Sequence, residues 1–422
     1  MACQINIELI PYPVREKIHK ELEIKIETNS KYGPPYKFFY PYEIVDNDIC
    51  LPFAYAYNKI NLKRPVRSEF SIMSSIFTGS LRPEQVIVKK EALEYLNNTG
   101  SVIISLYTGC GKTITSISLA CTIRLKTLVI VNKIVLMKQW SEAILKVCPE
   151  AKIQILTTKC DLEEADFYIM NAINVSKMPR SFYKDMGLCI VDELHLIMAD
   201  TISKSLLYIK PRYLIGLSAT PYRLDGFDPL IDLYFGQNKI IRELHREHII
   251  YKVPTGIKIE LELNENGTVN WGAVLQAQSG NIERNELILK IIKKFSDKIF
   301  LILCKRVEQG QYLYDELRQS ESVDNLIGNK QEFDPNCRIL VATISKASTG
   351  FDWPTANALI VACDTDAYFI QTLGRVFRTL NTTPIVFDLI DNNPILFRHY
   401  KNREEVYKKS GGIIKKFNTD LL

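Results

Sequence analysis

The sequence predicts an α/β fold: two parallel-sheet domains in tandem, preceded by a small N-terminal β-rich or α+β domain. Three observations carry this. From residue 101 to about 240, short apolar β-branched runs alternate with helical patterns, as in a parallel sheet covered on both faces. The alternation stops between 241 and 280 and returns from Asn281. Residues 1–80 have another texture, dense in aromatics and prolines.

A chain of 422 residues suits two or three domains. Its 46% hydrophobic and 24% charged residues are ordinary for a globular protein with large cores. The net charge of +5 permits a polyanionic partner without demanding one. The ten cysteines show no C-x-x-C pair and no metal-ligand spacing, so they read as reduced thiols of an intracellular protein, cytoplasmic or nuclear. Five dispersed histidines give no catalytic metal cluster. The start, Met1-Ala2-Cys3-Gln4, lacks a basic segment leading into an apolar core. No apolar run approaches the ~20 residues that span a bilayer.

In chain order, residues 1–80 form an N-terminal accessory domain. Tyr32, Tyr36, Phe38, Phe39, Tyr40 and Tyr42 crowd among Pro34, Pro35 and Pro41. They suit the aromatic core of a small β-rich domain better than a platform for stacking bases. The first sheet domain covers 81–240. Leu81-Arg82-Pro83-Glu84-Gln85 opens a helix whose apolar positions are Val86, Val88, Ala92, Leu93 and Leu96. Strands are expected at 101–106, 127–132, 152–156, 167–170, 187–191 and 211–218, with helices after Thr113 and over 133–147. Residues 241–280 read as a hairpin connector: 257–263 alternates apolar and charged residues, and Asn264 to Gly267 offers a turn. The second sheet domain, 281–397, opens with a helix over 283–295. Strands follow near 299–303, 338–342, 357–361 and 384–388. The tail, 398–422, is basic, with Lys401, Arg403, Lys408, Lys409, Lys415 and Lys416. A solvated terminal helix and a phosphate contact are evenly balanced readings of it.

The chemistry starts at Ser101–Thr113. A buried-strand pattern runs into Thr108-Gly109-Cys110-Gly111-Lys112-Thr113 and then into a helix. Strand, glycine loop, Lys-Thr and helix make a phosphate-binding loop. Backbone N–H groups and the helix N-terminus attract the anion. Lys112 would reach the β- and γ-phosphates, and the Thr113 hydroxyl would hold Mg²⁺. The strict pattern wants glycine where Leu106 stands. Cys110 mainly supplies a small side chain; an activated thiol there is the lesser reading. About 80 residues on, an apolar strand ends in Asp192-Glu193-Leu194-His195. One carboxylate can hold Mg²⁺ and the other can activate a water, roles that fit Asp192 and Glu193 respectively. His195 reads as a polar coupling residue. Another strand runs into Ser218-Ala219-Thr220, whose small hydroxyls can bridge the carboxylate loop to other elements. In the second domain, Gln371 precedes Arg375 and Arg378, which share a helix face at i, i+3. Paired guanidiniums suit developing phosphoryl charge.

Taken in order, these segments resemble the superfamily 2 helicases and translocases. They are the phosphate loop, I-V-N-K…M-K-Q-W (130–140), V-D-E-L-H (191–195), L-S-A-T-P-Y-R-L-D-G (217–226), F-L-I-L-C-K (300–305), I-L-V-A-T…S-T-G-F-D-W-P (339–354) and Q-T-L-G-R-V-F-R (371–378). Within that superfamily the phrasing is similar to the xeroderma-pigmentosum-B-type DNA helicases, phage recombination helicases and the transcript-release helicases of large DNA viruses. The resemblance implies two RecA-like domains and ATP-driven translocation on nucleic acid with duplex unwinding. The cofactors are ATP and Mg²⁺, and the setting is transcription, repair or recombination. DNA is favoured over RNA because that branch of the family points there. For a viral member the location is host cytoplasm or virion. Position by position, Arg82 and Gln85 would sit by the adenine, Lys112 and Thr113 on phosphate and Mg²⁺, Asp192 on the metal and Glu193 on the water. Ser218 and Thr220 would couple hydrolysis to movement. Asp352 would approach the ribose, and Gln371, Arg375 and Arg378 would meet the γ-phosphate. Asn132, Lys133, Asn171 and Thr343 would contact nucleic acid. Leu194 replaces the alanine of the common D-E-A-H form, which alters packing beneath the carboxylates. The rivals are a duplex translocase that displaces bound complexes without unwinding, an RNA helicase, and a nucleic-acid scaffold with a vestigial ATPase.

Overall fold

The computed structural model describes residues 2–27, 36–107, 109–158, 160–198, 203, 205–218, 228–243, 245–265, 267–348, 353–365, 373–374 and 382–419. The chain divides into two units, Met1–Leu106 with Cys110–Arg242, and Glu243–Leu422 with Tyr107–Gly109.

The first unit begins with β1 (Ala2–Asn6), β2 (Ile24–Glu27), β3 (Tyr36–Phe39), β4 (Glu43–Val45) and β5 (Asp48–Pro52). β1, β5 and β4 form an antiparallel sheet, and β2 pairs with β3. Alternation along β3 divides the aromatics. Phe39 is buried, whereas Tyr36 and Phe38 are exposed, so the expected aromatic core holds only in part. Tyr32 lies outside the described residues. Nor does the 1–80 segment stand apart as its own body. Phe53, Ala56 and Tyr57 share one core with Ile103 and Leu128 of the parallel sheet, because the small antiparallel sheet has too little apolar surface to close a core alone.

The parallel sheet contains β6 (Ser101–Leu106), β7 (Thr127–Val131), β8 (Ile153–Leu156), β9 (Phe167–Asn171), β10 (Leu188–Val191), β11 (Tyr213–Ser218) and β12 (Lys239–Arg242). Their order is β12-β6-β11-β10-β7-β9-β8, parallel throughout. β6, β7, β9, β10 and β11 are buried along their whole length, as strands covered on both faces must be.

The second unit has its own parallel sheet of β13 (His248–Lys258), β14 (Phe300–Cys304), β15 (Val323–Leu326), β16 (Ile339–Thr343), β17 (Ala358–Val361), β18 (Ile385–Asn392) and β19 (Gly412–Lys416). The order is β15-β16-β14-β17-β18-β13-β19. Two expectations are corrected. The 241–280 segment is not a hairpin connector: β13 is an interior strand with Ile250 and Val253 in the core. Of the hairpin there remains the isolated bridge between Leu263 and Val269. The alternation at 257–263 starts where the strand ends, so it marked the wrong stretch. Nor is the 398–422 segment a solvated basic tail. Its helix Pro394–Lys409 buries Arg403 and Tyr407, and β19 pairs with β13.

Arg403 is buried because its charge is met. Its Nε and Nη2 each donate to Asp388 of β18 at 2.9 Å, and Nη1 donates to Asp364 Oδ1 at 3.2 Å. The Tyr407 hydroxyl donates to Asp388 Oδ2 at 2.8 Å. A second pair, Arg284 and Asp391, is equally buried. Removing one member of such a pair strands the other charge. Asp388→Ala is expected to cost the second unit about 3–5 kcal/mol, read as a drop in its urea midpoint. Among the described residues no helix is long and apolar enough to cross a membrane.

Candidate nucleotide site

β6 ends at Leu106, fully buried in the first unit's sheet. That explains why a glycine is absent at this position: the strand still needs core volume there. Gly109 and Gly111 then take φ of 90° and 92°, and Gly111 caps the helix Lys112–Ile123. A Cβ at Gly111 would collide with Gln85 Nε2 and Arg82 Nη2. The φ of 92° is what calls for glycine at position 111, and a larger residue would also push the Gln85 and Arg82 side-chain ends off the loop.

Those two side chains grip the loop. Arg82 Nη2 donates to the Cys110 carbonyl at 2.7 Å, and Gln85 Nε2 reaches the Cys110 and Gly111 carbonyls, each at 3.3 Å. Gln85 Oε1 accepts from the Arg82 backbone N–H at 2.8 Å. Lys112 folds back, donating from Nζ to the Leu106 carbonyl at 2.7 Å. Thr113 follows it in the first helical turn, partly exposed. Cys110 is buried, with Sγ 3.7 Å from Glu84 Oε2, so in this conformation its thiol is shielded from alkylating reagents.

Asp192 and Glu193 leave the end of β10. Asp192 Oδ1 accepts from the Glu193 N–H at 3.0 Å, and Oδ2 accepts from Trp140 Nε1 at 2.8 Å. Asp192 retains some exposed surface, yet its carboxyl sits deep enough that burial, reinforced by the Glu193 charge, pushes its pKa up to about 6. The Trp140 N–H and the Lys112 ammonium pull the other way. Glu193 adopts φ 49°, a left-handed conformation unfavourable for a non-glycine residue. Its Oε2 is buried without a hydrogen-bond partner and lies 3.6 Å from His195 Nδ1. His195 Nδ1 is also 2.9 Å from Ser218 Oγ at the end of β11. The carboxylate loop and the end of β11 are thus joined through one imidazole.

This arrangement can hold a phosphate and a hard cation. Two adjacent carboxylates with one orphaned oxygen fit a divalent ion and an ordered water, and the Thr113 hydroxyl and Asp192 have the donor chemistry for Mg²⁺.

Residues 78–223 match the family described as "Type III restriction enzyme, res subunit". The chain is 42% identical to "Putative helicase 161L" of Invertebrate iridescent virus 6, over 99% of this chain and 100% of that protein. The chain belongs to the superfamily 2 helicases of large DNA viruses. It is also 25% identical to "Putative ATP-dependent RNA helicase L396" of Acanthamoeba polyphaga mimivirus, over 98% of this chain and 85% of that one. A solved S. cerevisiae Dbp5 variant bound to RNA and ADP BeF3 shares the fold, with a TM-score of 0.60 at 13% identity, covering 81% of this chain and 95% of that chain. The enzyme is an ATP-hydrolysing helicase built on tandem RecA-like domains.

In this helicase the first unit brings together most of the residues singled out in its sequence. Arg82 and Gln85, expected by the adenine, here fasten the loop carbonyls. Asn171 is expected on nucleic acid, but it is buried and its Oδ1 accepts from the Ile173 N–H at 3.1 Å as a cap. Asn132 has its Oδ1 buried without a partner, and Lys133 beside it is exposed. Thr343, in the second unit, ends β16 with Oγ1 3.3 Å from Ser345 Oγ. Thr108, Ala219, Thr220, Asp352, Gln371, Arg375 and Arg378 lie outside the described residues. Trp140 was not foreseen as a site residue. It sits in the quoted M-K-Q-W phrase, but nothing local to residue 140 points to a carboxylate 52 residues later.

Trp140→Phe keeps the ring and removes the N–H, so Asp192 loses a stabilising donor and its pKa rises further. A protonated Asp192 is a poor cation ligand. Mg²⁺–nucleotide binding to the free enzyme should therefore weaken as pH falls through about 6. In Trp140→Phe that fall is expected at higher pH, by on the order of one unit, as measured by nucleotide titrations between pH 5 and 8.

Proposed function

We propose that this helicase is an ATP-driven translocase that separates strands of nucleic acid, with DNA as its substrate. The observation that carries the reading is the Glu193 carboxylate: strained in its backbone, orphaned at Oε2, and linked through His195 to Ser218. A group held so is suited to accept a proton from an attacking water and to pass its change of state to a neighbouring strand. Lys112 leaves the Leu106 carbonyl to meet the β- and γ-phosphates. The loop's N–H groups and the helix terminus receive the phosphate charge. Thr113 and Asp192 hold Mg²⁺, which, when bound, draws charge from the transferring phosphoryl group. Trp140 keeps one Asp192 oxygen committed, leaving the carboxylate with a fixed aspect. From the resemblance, Arg375 and Arg378 would supply the remaining positive charge, Gln371 would offer a neutral amide to the γ-phosphate, and Asp352 would take the ribose.

Each turnover then shifts a strand held mainly by its phosphates, so binding is salt-sensitive and weakly sequence-specific. Lys133 serves that contact on the first unit and Thr343 on the second. Three relatives are named putative ATP-dependent RNA helicases, which favours RNA as the second reading. Relatives from large DNA viruses suit a place in viral transcription, in host cytoplasm or virion.

Glu193→Gln is expected to lower nucleic-acid-stimulated ATP turnover by at least about 100-fold, the scale of general-base loss, while nucleotide binding persists. Unchanged turnover would remove Glu193 from the hydrolytic step. Stimulation by single- and double-stranded DNA and RNA, compared side by side with strand displacement, decides the substrate and separates unwinding from duplex translocation.

A further inference from the structure

Trp271 opens the helix Trp271–Gly280 and is 38% exposed, whereas Trp140 and Trp353 are 2% and 1% exposed. Its exposure is not looseness. The indole stacks on the His399 ring, with centroids 5.2 Å apart and planes at 27°. His399 Nδ1 is 2.6 Å from Asp364 Oδ2, and Asp364 is gripped by the buried Arg403. Asn270 Oδ1 caps the helix by accepting from the Ala273 N–H at 3.2 Å, and Arg306 Nη2 donates to the Gly272 carbonyl at 2.9 Å. One aromatic face is fastened from behind, and the ring still presents surface to solvent.

The position is informative too. Arg306 follows the end of β14, Asp364 the end of β17, and His399 lies in the helix that follows β18. Trp271 is therefore tied to the carboxyl ends of the second unit's strands, the edge where parallel α/β sheets receive ligands. Lys305, exposed, sits at the same edge with Nζ 3.2 Å from the Asp364 carbonyl. Cys304 pairs with Thr343 on the neighbouring strand. A braced aromatic face and a lysine, both linked to the Asp364 segment at this edge, suit an unpaired nucleotide: the base stacks on the ring and a phosphate of the strand meets the cation.

We propose that Trp271 is the platform on which the second unit stacks an unpaired base, with Lys305 taking the adjacent phosphate. This rests on the nucleic-acid reading above. Trp140 and Trp353 also emit, so the share of the signal that belongs to Trp271 is the difference between wild type and Trp271→Ala.

The test titrates the full chain, without nucleotide, with (dT)12, with U12 and with a blunt 12-bp duplex, following tryptophan emission and anisotropy of labelled strands. Wild type is expected to lose emission on binding a single strand. Trp271→Ala should bind single strands about tenfold more weakly, the scale of one lost stacked base. Its duplex affinity and its ATPase without nucleic acid should be unchanged. Trp271→Tyr, which keeps a ring on His399, should restore most of the affinity. Equal single-strand affinity in wild type and Trp271→Ala overturns the proposal and leaves the nucleic-acid reading intact. An equal loss for strand and duplex also overturns it. If wild type binds neither strand nor duplex, the nucleic-acid reading itself falls.

Discussion

Two carboxylates next to each other at the end of a buried strand repel, and burial penalises both charges. Most of the first unit's site can be understood as the answer to that problem. Trp140 supplies one N–H and the backbone of Glu193 another. Lys112 adds positive charge nearby. Even so, Asp192 remains pushed up towards neutrality, and Glu193 keeps an oxygen with no partner. The incomplete compensation is the useful part. A fully satisfied pair would have little reason to take up a cation or a water.

The same logic, carried further, builds the second unit. Arg403 and Arg284 are buried, and the Asp388 and Asp391 carboxylates facing them each accept from the arginine and from at least one further side chain, although Arg284 Nη2 keeps no hydrogen-bond partner among the described residues. Such networks fix geometry without inviting a ligand. They hold the segment after β17, which carries Asp364, and the helix after β18, which carries His399. Hence the backing behind Trp271 and the unmet oxygen of Glu193 come from one kind of interaction at different degrees of satisfaction.

How much of this was legible beforehand follows from the range of the interactions. The six strands expected between 101 and 218 coincide with β6 to β11, since strand burial leaves a local apolar signature. The phosphate loop and the D-E-L-H phrase are local in sequence and were equally plain. The contacts of Trp140 and Arg403 are not local: their partners lie 52 and 15 residues away, and a tryptophan or arginine looks the same whether or not a carboxylate awaits it. β12 and β19 were missed because they are short and partly exposed, with charged residues in their runs. The interior strand β13 was displaced in the reading by a cleaner alternation just beyond it. Lone side chains such as Asn171 were assigned by position, and position does not distinguish a contact from a cap.

The pairing of β13 with β19 has a consequence for how the second unit can be cut. Its first strand and its last are neighbours, so the unit opens and closes at one side of its sheet. The chain's final segment is therefore a closing seam. Loss of β19 would leave the long β13 as a bare edge, a template for pairing with another chain. A circular permutation joining the seam would preserve every strand neighbour. For this unit the vulnerable point is the last strand in sequence, although the residues read as catalytic all lie far from it along the chain.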